Sequence, residues 1–255
     1  MNILVCIKRV PDVGAKFTLT TNGKAIDPTN LGFTISPHEE CAVEEAISLI
    51  EKHGGVATVL TLGEPDAEEQ LRDSLARGMD EAILLETQIT EWDPIQTANA
   101  IIETIRTVEE KSGEFDLIMF GNESADSGNA QVGIRVAHEL DRPIICGLKS
   151  LTLKDSGIIA KKDIPNGMEI FETNLPAVVS IKEGINLPRY PSLRGRIKSK
   201  KKDIVHSSPK QSPFTMNMIK LKHPDEQKKE VLILGEGASA AASAVNIFKQ
   251  LKLLK

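Results

Sequence analysis

Aromatic residues are scarce in this chain of 255: one Trp, one Tyr and seven Phe. A protein that stacks nucleic-acid bases on aromatic platforms would carry more of them, and the formal net charge of −5 argues against a polyanionic partner as well. Cysteine is equally sparse. Cys6, Cys41 and Cys146 form no CxxC pair and leave an odd number, the usage of a reducing compartment without a disulfide framework. No apolar run approaches the length of a membrane span. The opening MNILVCIKRV has its basic pair on the wrong side of a short apolar run for a signal peptide. The expectation is a cytoplasmic protein with no nucleic-acid partner and no membrane insertion. His38, His53, His138, His206 and His223 keep no metal-ligand spacing, and there is no HExxH, nucleophile elbow or Walker A sequence. No metal site and no catalytic acid–base pair are expected. Glu39, Glu40, Glu44 and Glu45 read mostly as a solvated helical face.

What remains is an ordinary globular composition, 40% apolar and 26% charged. Short apolar runs at 2–7, 56–62, 81–85, 115–121 and 177–181 read as strands, and continuous runs such as Ile3-Leu4-Val5 suit strands buried on both faces of a parallel sheet. Helical patterns lie between them. Residues 38–52 carry Val43, Ala46, Ile47 and Ile50 on one stripe, behind a Ser36-Pro37 start. Residues 66–77 end on Gly78, Asp93-Pro94 opens a helix to about residue 111, and 130–140 carry Val132, Val136 and Leu140 on one side. The alternation predicts an α/β fold, a doubly wound and mostly parallel sheet with helices on both faces. Turn signals at Asp155-Ser156-Gly157 and Pro165-Asn166-Gly167 predict a small antiparallel excursion. Residues 186–213, rich in Pro, Ser, Lys and Arg, read as an extended arm, followed by a strand at 231–234 and a helix at about 238–254. The expected division is an α/β nucleotide-binding domain, 1–185, and a recognition loop and C-terminal arm, 186–255.

Two loops carry possible chemistry. Gly121-Asn122-Glu123-Ser124-Ala125-Asp126-Ser127-Gly128-Asn129-Ala130-Gln131-Val132 follows a buried strand and enters a helix. Its small and hydroxylated residues let backbone N–H groups approach an anion at a helix N-terminus; a well-capped surface loop is the plain alternative. Gly235-x-Gly-x-x-Ala imitates a dinucleotide fingerprint, but without the second strand and acidic residue that such a unit needs it reads as a strand-to-helix turn. The densest positive charge, Arg189, Arg194, Arg196, Lys198, Lys200, Lys201 and Lys202, is interleaved with Pro188, Tyr190, Pro191 and Leu193. That mixture suits either a solvated charge run or a docking loop with an apolar anchor.

Taken in order, these pieces resemble the electron transfer flavoprotein beta-subunit family (ETF beta/FixA). Ile3-Leu4-Val5-Cys6-Ile7-Lys8-Arg9-Val10 is similar to its first strand, Ser36 to Ala46 to its Asn-Pro-aromatic…Ala-Val-Glu-Glu-Ala helix start, and Leu75 to Asp80 to its Ala-Leu-Ala-Met-Gly-Ala-Asp. Most specific is Asn186-Leu187-Pro188-Arg189-Tyr190-Pro191-Ser192-Leu193, with the lysine run behind it. The resemblance implies an electron carrier rather than an enzyme. It would be the small subunit of a heterodimer with an alpha subunit that mainly holds FAD, taking electrons from flavin dehydrogenases of the acyl-CoA dehydrogenase type, as in fatty acid oxidation, and passing them to an ETF oxidoreductase or similar acceptor. It also implies AMP bound structurally beside Cys6, Ser36, Pro37, His38, Glu39 and Leu62, and by the loop from Gly121 to Val132. Tyr190, Leu193, Arg194, Lys198, Lys200 and Lys201 would form the docking loop. His38 and Ser36 depart from the family's usual residues, and Ala130-Gln131-Val132-Gly133 is closer to bifurcating members, in which a second FAD replaces AMP. A free-standing adenine-nucleotide-binding sensor or hydrolase is the rival from another class.

Overall fold

The computed structural model describes residues 1–88, 92–214, 216–224 and 231–254. They form two compact units, Met1–Ile219 and Lys220–Lys255. In the first, β1 (Asn2–Ile7) leads into a two-stranded ribbon of β2 (Val10–Pro11) and β3 (Phe33–Thr34). The alternation continues through α1 (Pro37–His53), β4 (Val56–Gly63), a 3-10 turn (Pro65–Ala67) entering α2 (Glu68–Arg77), β5 (Glu81–Glu86), α3 (Pro94–Ser112), β6 (Leu117–Gly121), α4 (Val132–Glu139) and β7 (Ile144–Leu148). The antiparallel trio β8 (Ser150–Lys154), β9 (Gly157–Ile164) and β10 (Gly167–Asn174) follows, then β11 (Ala177–Ile181), α5 (Leu193–Ser199) and β12 (Val205–Ser207). The second unit holds a 3-10 turn (Gly237–Ala240) and α6 (Ala241–Gln250).

The local signals act as their chemistry requires. Ser36 and Asp93 each close a capping box, with Glu39 and Gln96 respectively, and Pro37 and Pro94 open the helices. Gly78 ends α2 at φ 140°. The main sheet has seven strands in the order β12-β5-β4-β1-β6-β11-β7, every neighbouring pair parallel. One face (Ile3, Val5, Val59, Leu84, Leu117, Val179) packs on α1, α2 and the inner residues of the antiparallel trio. The other (Leu4, Leu60, Ile83, Ile118, Val178) packs on α3 and α4. This is a doubly wound sheet with helices on both faces. Among the described residues no helix is long and apolar enough to cross a membrane.

The structure corrects several boundaries. β7 was not expected: its Gly147, at φ 76°, breaks the apolar pattern, and the strand exists because β11 pairs with it. The segment 186–213 is not wholly extended. Ser192 caps α5, and β12 adds to the sheet beside β5, giving three residues a partner that their composition does not announce. Residues 231–234 form no strand; Val231, Leu232 and Ile233 stay 72–87% exposed, because a strand needs a neighbour's ladder and none of the described residues supplies one to this run. α4 starts at Val132 because Ala130 sits at φ 52°, outside the helical region.

Core and run should respond differently to truncation. Leu117, fully buried in the middle of the sheet, should cost about 2–5 kcal/mol as Leu117→Ala, whereas Ile233→Ala should stay within about 0.5 kcal/mol of wild type. Urea denaturation of the two variants checks the difference.

Candidate functional site

The chain leaves β1 toward β4 and β5 on one side and returns through β6 on the other, since β1 pairs with both β4 and β6. The carboxyl ends of β1 and β6 diverge at this reversal, which is where open α/β sheets hold small molecules. A cavity of about 450 Å³ lies there, bounded by the ends of β1, β4 and β6, within the roughly 300–1,000 Å³ usual for ligand sites. Of the residues singled out from sequence, Cys6, Glu39, Leu62, Gly121, Asn122, Glu123, Ser124, Ser127, Asn129, Ala130, Gln131 and Val132 line it. Ser36, Pro37, His38, Ala125, Asp126 and Gly128 line a smaller concavity next to it, which shares Glu123, Ser124 and Ser127. Four separate stretches of sequence therefore converge on one region.

The first turn of α1 is one wall. Ser36 Oγ accepts from the Glu39 amide at 3.2 Å, and the Glu39 carboxylate accepts from the Ser36 amide at 2.8 Å. Glu39 is 5% exposed; burial outweighs its hydrogen bonds and pushes the carboxyl up to about 8. The Cys6 thiol is pushed up by burial and by Glu39, so it is no thiolate nucleophile. The expected solvated carboxylate face is thereby corrected. Glu39 and Glu44 are both buried, Glu40 pairs with Arg77 at 2.8 Å, and Glu45 accepts from Asn186 at 2.9 Å, because later parts of the chain cover this side of α1. His38 Nδ1 accepts from the Glu183 amide at 2.9 Å, and its Nε2 lies 3.8 Å from Glu123.

The loop after β6 is the opposite wall. The Asn122 amide donates to the Ile181 carbonyl at 2.8 Å, tying the loop to β11. Gly128 and Ala130 both take positive φ, 58° and 52°; for Ala130 this is a strained conformation of the kind that clusters at ligand sites. The cavity also contains residues that sequence reading did not single out as ligand contacts: Lys8, Arg9, Trp92, Cys146 and Ser180. Lys8 and Arg9 could have been found, since they directly follow β1; the others belong to elements brought in by the sheet order. The Arg9 guanidinium stacks 3.5 Å over the Phe33 ring, and its buried Nε has no hydrogen-bond partner among the described residues.

The segment expected to dock lies elsewhere on the first unit. Arg189 grips Glu44 through Nε and Nη2 (2.9–3.1 Å) and Glu51 through Nη1 at 2.6 Å, and both carboxylates raise its affinity for the proton. Arg72 donates to the carbonyls of Ser199 and Lys202, and Lys202 donates to the carbonyls of Met79 and Asp80. Arg189 and Lys202 thus fasten the segment rather than offer charge. Between these clamps Tyr190 and Leu193 stand 94% and 76% exposed, and Leu187, just before Arg189, is 91% exposed. Arg194, Lys198, Lys200 and Lys201 are also exposed.

The fold and its crevice define a doubly wound α/β protein with a cavity at the switch point of its sheet. Residues 25–212 match the electron transfer flavoprotein domain. The chain is 34% identical to the electron transfer flavoprotein subunit beta of Bacillus subtilis (strain 168), over 98% of both chains. It is 34% identical to the corresponding subunit of Mycobacterium leprae (strain TN), over 80% of this chain and 77% of that one. It is also 32% identical to protein FixA of Sinorhizobium fredii, over 80% and 73%. The chain belongs to the electron transfer flavoprotein beta-subunit family.

The Glu39 carboxyl makes stability depend on pH. An unfolded Glu loses its proton near 4.5, while the folded one holds it to about 8. The folded state therefore binds more protons in that window, and the contribution present below 4.5 is lost as pH rises toward 8. Melting temperature should fall by several degrees from about pH 5 to about pH 9, and Glu39→Gln, which can close the capping box as Gln96 does, should flatten that slope. Thermal melts of both proteins across pH check it.

Proposed function

We propose that this chain is the small subunit of a heterodimeric electron transfer flavoprotein, shuttling electrons from flavin dehydrogenases of the acyl-CoA dehydrogenase type to an ETF oxidoreductase or similar acceptor. Its partner is an alpha subunit that holds most of the contacts to FAD, and it binds AMP in the switch-point cavity as a structural ligand. The flavin supplies the redox chemistry; the residues of this chain bind, orient and dock. The carrying observation is the pinned, exposed segment around α5. Burying intrachain clamps while leaving Leu187, Tyr190 and Leu193 in solvent is a design for a partner's pocket, with exposed cations to steer the encounter. A free-standing nucleotide sensor would have no use for it.

The residues around the cavity suit a mononucleotide. Two cations, Lys8 and Arg9, stand beside a loop rich in hydroxyls and small residues, and the Arg9 Nε is an unused donor among the described residues. A second FAD in place of AMP is supported by Ala130-Gln131-Val132-Gly133 and by the reach of the cavity to Trp92 and Pro94 at the start of α3. Flavin and AMP content per purified heterodimer separates the two. Val245, Phe248 and Leu251 of the second unit are 40–62% exposed and suit the alpha subunit.

Leu193 heads α5 as its first residue, 76% exposed. Truncating a buried anchor typically loses ~2 kcal/mol or more, so Leu193→Ala should slow flavin reduction by a dehydrogenase by about tenfold or more with the flavin spectrum intact. Neutralising Lys198, Lys200 and Lys201 together should instead lower the association rate and flatten its salt dependence. Stopped-flow reduction over a salt series reads both. Wild-type rates for Leu193→Ala at every salt concentration would remove this segment from docking.

A further inference from the structure

Lys8 stands just past the carboxyl end of β1 and lines the switch-point cavity. Its ammonium lies 2.5 Å from Asp126 Oδ2 and 3.4 Å from Ser127 Oγ. The other oxygen of the same carboxylate, Oδ1, accepts from the Ser127 amide at 2.7 Å and from its hydroxyl at 3.2 Å. Ser124 Oγ closes the group at 3.0 Å from Ser127 Oγ. Burial alone would push the Asp126 carboxyl up; the Lys8 ammonium, the Ser124 hydroxyl and the Ser127 amide outweigh it and hold the group below the ordinary carboxylate range. An ammonium, a backbone N–H and hydroxyls converging on one anion are the donor set that a phosphate monoester needs. Here the anion is a side chain of the loop itself.

We propose that Lys8 binds the phosphate of the nucleotide held in this cavity, and that Asp126 is a built-in competitor which the phosphate displaces from Lys8 and Ser127. The inference rests on the nucleotide reading of the cavity. A phosphate and a carboxylate cannot both take one ammonium without strong repulsion, so one must leave. The exchange is accessible: the Lys8 and Asp126 side chains are 46% and 25% exposed, so a released Asp126 can reach water. A competing carboxylate weakens the binding of anionic ligands and leaves uncharged ones unaffected. The pair therefore sets how strongly the cavity distinguishes a nucleotide from its nucleoside.

Isothermal titration of the full chain with AMP and with adenosine tests this. Lys8→Met should weaken AMP about tenfold or more, the size of one hydrogen bond to a charged group, with adenosine unchanged, and Lys8→Arg should restore most of the loss. Asp126→Asn should tighten AMP by about threefold to tenfold with adenosine unchanged, a removed repulsion of ordinary surface size. Unchanged AMP affinity in Lys8→Met, or weaker AMP binding in Asp126→Asn, overturns the inference while leaving the nucleotide site in place. If the wild-type chain binds neither AMP nor adenosine, the reading of the cavity fails and the inference with it.

Discussion

Gly121 has no side chain at the point where the first turn of α1 presses on the carboxyl end of β6; a Cβ there would stand 2.6 Å from Glu39 Cγ. That contact sets the width of the crevice. Because Glu39 must turn back on Ser36 to close the cap, its carboxyl is driven inward, next to the end of β1, rather than out to water. The same turn carries His38 to the Glu183 amide after β11. One close approach thus aligns the ends of β1, β6 and β11. Any side chain at position 121 would push α1 away from the sheet, and the whole wall with it.

Chemistry within this wall is quiet. The Cys6 thiol is kept protonated by burial and by Glu39, and Glu39 itself holds its proton far longer than an exposed carboxyl. Such groups shape a site without reacting in it. The charged chemistry is confined to the rim, where Lys8, Asp126, Glu123 and Arg9 meet solvent.

The segment from Asn186 to Lys202 follows a related logic at a different place. Isolated exposed ion pairs contribute little, but Arg189 is shared between Glu44 and Glu51 with several bonds in a planar fork, and Glu44 is buried. Gly195 then lets α5 lie against α2, where a Cβ would come 2.1 Å from the Ala76 carbonyl. These fixed points absorb Arg189 and Lys202 and leave the cations between them exposed. A segment that reads as uniformly basic is therefore divided, part of it fastening and part of it facing outward.

Much of this could be read from residue order alone. The runs of β1, β4, β5, β6 and β11 are apolar enough to name a parallel sheet, Ser36 and Asp93 announce their helices, and the family signature around Tyr190 is carried by consecutive residues. These are local properties: a cap or a buried run is decided within a few positions. β7 and β12 were not legible, because a broken apolar run and a three-residue strand become strands only beside β11 and β5. Nor was α5, whose charged residues show no periodicity and whose support comes from Arg72 on α2. The burial of Glu44 depends on Arg189, 145 positions away, and the role of Lys8 on Asp126, 118 positions away. Whether a carboxylate is solvated, paired or driven to hold its proton is settled by what the fold brings opposite it, and that partner is not written near it in the chain.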